Sequence, residues 1–189
     1  MITFGISGGR ASFSEQATQQ YAQEEKLEDI DIDYLVSVKN VLEALDKELI
    51  DIGIFPVENS SGGIVEESLY AMALHIFEIQ KIFKVSVRHF LMALPGIKRE
   101  TIIHIASHPA ALRECQTYLK TQWPQIQLYE YEDTAKAAQA LKAKILPATT
   151  AVIAPRVAAD LYDLEIFDEN IQDDKLNVTT FVAVKKKKS

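Results

Sequence analysis

The chain has 189 residues, of which 48% are apolar and 25% charged, with 7 glycines and 6 prolines. It can bury enough surface to fold, which excludes a disordered, collagen-like or low-complexity protein. The 20 basic against 27 acidic residues give a formal charge of −7, which argues against broad binding to nucleic acid, whose phosphates need a positive face. A small anionic ligand stays admissible, because backbone N–H groups and helix N-termini act locally against the global sign. The single cysteine, Cys115, can form neither an internal disulfide nor a cysteine-rich metal site. The N-terminus MITFGISGG lacks the basic and apolar regions of a signal peptide, and no apolar run approaches the ~18 residues of a membrane span. The expectation is a cytoplasmic protein with neither nucleic acid nor membrane as partner.

The apolar run Ile2–Ile6, closed by Ser7-Gly8-Gly9, predicts a buried strand ending at a turn. From Ser14 to Lys26, Ala17, Tyr21 and Ala22 recur at helical spacing, with Ser12 or Ser14 as cap. Tyr34–Val38 is predicted as the second strand, and Val41, Leu42, Leu45 and Leu49 as the inner stripe of the second helix. Asp51–Val57 predicts a third strand, followed by Glu58-Asn59-Ser60-Ser61-Gly62-Gly63 and a helix from about Ile64 to His75. This alternation is the βαβ rhythm of a largely parallel sheet, whose ligand loops sit at the carboxyl ends of strands.

Glu78–Leu94 is β-branched, alternating and too long for one ordinary strand. It predicts one or two strands crossing between lobes. A second series follows: strands at 102–106, 126–131 and 149–154, and helices at 109–122, 133–143 and 155–162. The tail holds Glu165–Phe167, a polar loop from Asp168 to Lys175, a strand from Val178 to Val184, and the lysines Lys185–Lys188, predicted as a solvated end.

Gly8–Ser14 joins a strand to a helix and can present N–H groups and hydroxyls to an anion. It has neither the Gly-Lys-Ser/Thr of a Walker loop nor the third glycine of a dinucleotide loop. Residues 58–63 carry more polar side chains than a connection needs: Asn59, Ser60 and Ser61 can bond a ligand, and Gly62 and Gly63 let it approach the backbone. The hydroxyls of Thr179 and Thr180 open the late strand, either toward a ligand or as β-favouring surface residues. His75, His89, His104 and His108 show no metal-ligand spacing, and no Gly-x-Ser-x-Gly elbow exists. Cys115 lies among apolar neighbours, as a structural thiol does.

Taken in order, these segments resemble the catalytic region of prephenate dehydratase over almost the whole chain. Gly8–Ala17 is similar to the family's Gly-Pro-x-Gly-Thr-Phe-Ser-Glu-x-Ala segment. Residues 51–65, DIGIFPVENSSGGIV, nearly reproduce its central signature. Ser107-His108-Pro109-Ala110-Ala111-Leu112 resembles Ser-His-Pro-Gln-Ala-Leu, and Asn177-Val178-Thr179-Thr180-Phe181 stands where the family has Asn-x-Thr-Arg-Phe.

The resemblance implies an α/β fold of two lobes, like type 2 periplasmic binding proteins, with the active site in the inter-lobe cleft. Residues 1–77 plus 178–189 would form one lobe and 78–177 the other, without the family's regulatory ACT domain. The implied reaction takes prephenate to phenylpyruvate with loss of water and CO2, in phenylalanine biosynthesis, with no metal and no organic cofactor. Thr179 stands at the family's catalytic threonine. The loop N–H groups after Ser60 and near Ser12 would hold the carboxylates of a dianionic substrate, Asn59 would orient it, and Phe13 and Phe181 would wall its ring. Ser61, Gly62, Gly63 and Thr180 complete the expected binding set, with Thr180 and Ala110 replacing the family's arginine and glutamine. These two departures motivate one rival reading, an impaired small-anion-binding homologue; a prephenate decarboxylase and an arogenate dehydratase-like enzyme stand beside it as alternatives. A homodimer is the expected assembly.

Overall fold

The computed structural model describes residues 1–187, which separate into two compact units: Met1–Ser86 with the segment from Val178 onward, and Val87–Asn177. The sequence places this division at 77/78. It falls at 86/87 because the strand Phe77–Ser86 pairs along its length with the last strand, in the first unit.

The first unit is built from β1 (Ile2–Ile6), α1 (Phe13–Glu24), β2 (Ile30–Tyr34), α2 (Val38–Asp46), β3 (Ile52–Asn59), β4 (Gly63–Ile64), α3 (Glu66–Met72), β5 (Phe77–Ser86) and β11 (Val178–Lys186). Its sheet runs β2-β1-β3-β11-β5, with the short β4 paired to β3. β1 is parallel to β2 and β3, whereas β11 is antiparallel to β3 and β5. One face packs α1 against Phe4, Ile6, Ile54, Phe83, Val85 and Phe181. The other packs α2 and α3 against Phe55, Val182 and Val184. Gly53 permits the approach of α2: a Cβ there would stand 2.8 Å from Val41 Cγ1.

The second strand departs from expectation. β2 occupies Ile30–Tyr34, Ser37 accepts from the Asn40 N–H as the cap of α2, and Val38 is already helical. β2 is an edge strand whose Asp31 and Asp33 alternate with Ile30 and Ile32.

The second unit holds β6 (Phe90–Ala93), a 3-10 turn (Arg99–Thr101), β7 (His104–Ser107), α4 (Pro109–Glu114), α5 (Gln116–Gln122), β8 (Gln127–Glu130), α6 (Thr134–Lys142), β9 (Thr150–Ala154), α7 (Arg156–Tyr162) and β10 (Glu165–Asp168). Its sheet order is β10-β6-β9-β7-β8, with β7 parallel to β8 and β9. The expected helix at 109–122 is two helices broken at Cys115, whose φ of −111° and ψ of 20° leave the helical well. His108 and Asp133 cap α4 and α6, each accepting backbone N–H groups of the first turn. Lys185 and Lys186 are exposed to solvent as expected, but they extend β11 opposite Glu78 and Phe77 rather than trailing as a tail. Lys188, expected in a solvated tail, lies outside the described residues.

Candidate active site

The centre of the site in the first unit is a side-chain pair between β3 and β11. The ladder sets Thr179 opposite Asn59 on one side and Val85 on the other. Asn59 Nδ2 donates to Thr179 Oγ1 at 2.9 Å and to the Val178 carbonyl at 3.4 Å. Its Oδ1 accepts from the N–H groups of Ser61, at 2.9 Å, and Gly62, at 2.7 Å. One amide thus shapes the loop with its oxygen and holds the threonine with its nitrogen. Ser60 reinforces the join: its N–H donates to the Val178 carbonyl at 2.9 Å, and its Oγ accepts from the Val178 N–H at 3.0 Å. Gly63 has φ of +79°, where a side chain would be strained.

This changes the role expected of the loop. The Ser61 and Gly62 N–H groups, expected to hold a carboxylate, bond the Asn59 side chain. The first loop behaves alike. Ser12 Oγ accepts from the Glu15 N–H as the cap of α1, and the Glu15 carboxylate accepts from the Ala11 N–H and, at 2.5 Å, from the Tyr34 hydroxyl. Gly8 is required by a close approach, since a Cβ would meet Ser12 Oγ at 2.6 Å. Ala11 takes φ of 63° and is buried, a conformation few non-glycine residues adopt.

Thr179 is 8% exposed, at the rim of the α1-side core. Phe181 lies two residues deeper on the same face, 1% exposed, its ring centroid 6.2 Å from that of Phe83. It is a core residue, packed with Phe83 and Val85 in the α1-side cluster, and so has no exposed face to line a ligand. Phe13 packs half-buried on the same cluster. Thr180 turns to the opposite face, opposite Glu58 and Lys84 in the ladder, so the sheet separates it from Asn59 and Thr179. Of the expected residues, Asn59, Ser60, Ser61, Gly62 and Thr179 form one bonded group. Thr180 and Phe181 stand apart from it.

In the second unit, Ser107 is fully buried and donates to the Ile153 carbonyl at 2.6 Å, while His108 serves as a cap. Burial pushes the Cys115 thiol up, helped by the charges of Glu114 and Asp173, so it is no nucleophile. Burial also raises the Tyr118 phenol to about 12, with help from its bond to Asp168. Among the described residues no cluster of three or more His, Cys, Asp or Glu is placed to hold a metal ion, and no helix is long and apolar enough to cross a membrane.

The sequence model described as prephenate dehydratase matches residues 4–189. Arogenate dehydratase 1 of Petunia hybrida is 37% identical over 142 residues, covering 75% of this chain and 33% of its own length. The chain therefore spans about a third of the length of such curated relatives. The crystal structure of prephenate dehydratase in complex with L-Phe from Arthrobacter aurescens superposes with a TM-score of 0.90 at 25% identity, over 100% of this chain and 61% of that one. A periplasmic substrate-binding protein of an ABC transporter from Coxiella burnetii shares the fold alone, with a TM-score of 0.50 at 14% identity over 96% of this chain and 84% of that one. From the two-sheet α/β fold, the DIGIFPVENSSGG signature and the match over 4–189, the chain belongs to the prephenate dehydratase family.

Proposed function

We propose that this chain carries the dehydratase step that aromatises prephenate to phenylpyruvate, within phenylalanine biosynthesis. The bond from the ring to its carboxylate breaks and releases CO2. That electron pair enters the ring, the ring C–O bond breaks, and the departing hydroxide takes a proton from solvent and leaves as water. Aromatisation supplies the driving force, so the protein's task is to stabilise the oxygen as it departs.

A single observation carries the reading: Asn59 Nδ2 donates to Thr179 Oγ1 at 2.9 Å. It occupies a lone pair on the threonine oxygen and fixes the hydroxyl, leaving the proton for donation to the developing hydroxide. A donor placed in advance needs no reorganisation during the reaction, which is where such groups gain their effect. Thr180, at the family's arginine position, lies on the other face of β11, so its neutral side chain leaves the Asn59–Thr179 pair intact.

The arogenate reading has its own support in the relatives, several of which are named arogenate dehydratases at 34–37% identity. Purified protein incubated with prephenate is assayed for phenylpyruvate in alkali, and with arogenate for phenylalanine by mass spectrometry. Turnover above the spontaneous rate that disappears in Thr179→Ala supports the proposal. Heat of binding without turnover would instead mark an impaired binder, and a product that has lost CO2 but kept its hydroxyl would mark a decarboxylase. The proposal extends to a cytoplasmic homodimer. Buried Cys115 agrees with a reducing compartment, and sedimentation equilibrium tests the dimer.

A further inference from the structure

The second unit contains a buried polar cluster that the proposed reaction leaves unused. His89 is 2% exposed, as is Asn177, and they meet at one carboxylate oxygen. His89 Nε2 lies 2.7 Å from Glu114 Oε2, and Asn177 Nδ2 donates to the same oxygen at 2.9 Å. The backbone around them is equally tied. The His89 N–H donates to Gln172 Oε1 at 3.1 Å, its carbonyl accepts from the Ile171 N–H at 3.0 Å, and the Val87 N–H donates to the Asn177 carbonyl at 2.9 Å. The Glu114 carbonyl accepts from the Asp173 N–H at 2.7 Å.

The Glu114 carboxylate is mostly shielded from water, its side chain 14% exposed, and such a group is costly unless donors surround it. Chain connectivity gives the arrangement its meaning. Asn177 is bonded to Val178, whose N–H and carbonyl are both held by Ser60, and Val178 is bonded to Thr179. Asn177 is thus held by Glu114 within the second unit, and its covalent neighbour Val178, the first residue of β11, by Ser60 within the first.

We propose that Glu114, with His89, is a positioning residue for the Thr179 hydroxyl, acting through Asn177. The inference rests on the dehydratase reading, in which that hydroxyl must meet the departing oxygen. A displacement of about 1 Å in a positioned group can lower turnover about 100-fold. Glu114→Ala removes the shared acceptor and lowers kcat by about that factor, with KM within about threefold. Glu114→Gln keeps an oxygen acceptor and restores most of the activity. In a Thr179→Ala background, Glu114→Ala has no further effect on the residual rate, because there is no hydroxyl left to position.

Equal losses from Glu114→Ala with and without Thr179, or no loss at all, overturn the proposal. Should Glu114→Ala fail to fold by circular dichroism, Asn177→Ala takes its place, since it leaves the His89–Glu114 pair intact. Hydrogen exchange reads the same device without substrate. Glu114→Ala accelerates exchange at Val178 and Thr179 while β1 keeps its protection, and unchanged exchange at those two amides overturns the proposal. A wild-type protein inactive on both substrates would refute the dehydratase reading, and the exchange experiment would then decide the positioning claim alone.

Discussion

Replacing Asn59 by aspartate tests the proposed chemistry at the cost of almost no volume. The new carboxylate still accepts from the Ser61 and Gly62 N–H groups, which Asn59 Oδ1 holds at 2.9 and 2.7 Å. Charge strengthens those two bonds, so the loop keeps its shape. The other end of the side chain reverses. Asn59 Nδ2 donates to Thr179 Oγ1 at 2.9 Å, whereas a carboxylate oxygen there can only accept. It draws the threonine proton to itself and away from the substrate. Losing one donor aimed at a developing oxyanion costs ~3–4 kcal/mol, or roughly 10²–10³ in kcat. The added negative charge raises KM for a dianion as well. Asn59→Asp is therefore expected to fold with a melting temperature near wild type and to lose at least 100-fold in kcat, with Thr179→Val in the same background adding nothing. Steady-state formation of phenylpyruvate measures the first, and thermal unfolding by circular dichroism the second. Asn59→Asp retaining more than a tenth of wild-type kcat would refute the assigned role of the Asn59 amide.

Three further outcomes follow from packing and burial. Phe181→Ala empties a site that is 1% exposed and is expected to destabilise the fold by ~3–5 kcal/mol in guanidinium titrations; a cost below 1 kcal/mol would contradict its place in the core. The Tyr118 phenol is raised to about 12 from an ordinary value near 10, mainly by burial. Its neutral form is favoured in the folded state, so its contribution is complete below pH 10 and is lost as pH climbs toward 12. Tyr118→Phe should flatten the fall of melting temperature across that window, and an unchanged alkaline slope would contradict the assignment. Cys115, 0% exposed with its thiol pushed up, should resist a thiol reagent in the native protein and react once denatured; fast native labelling would contradict its burial.

Much of this was legible in the residues because local pattern and tertiary role coincide. Ile2–Ile6 is apolar, bounded by a turn and buried, and β1 occupies those same residues. The density of polar residues in 58–63 pointed to the loop that now holds Thr179. Where the two diverge, the reading failed. β2 alternates isoleucine with aspartate at a sheet edge, which hides it from a search for apolar runs, while Leu35 and Val36 beyond it mimic a strand. The helical spacing of 109–122 continues through Cys115, although the backbone breaks there. The resemblance assigns Phe181 to the wall of a ligand ring; the pleat carries its ring into the core instead. The Asn59–Thr179 bond links residues 120 apart, and the cluster at Glu114 joins residues 25 and 63 apart. Nothing in local spacing encodes such partners.

The position of β11 bears on how the chain is made. It lies between β3 and β5, so β5 acquires its sheet neighbour only when residues 178–186 have left the ribosome. Val87–Asn177 is contiguous and can fold as soon as it emerges, while the earlier segment waits as an unfinished sheet. The hydroxyl proposed for the chemistry thus arrives on the strand that joins β3 to β5, and the Asn59–Thr179 bond cannot form before that strand is in place.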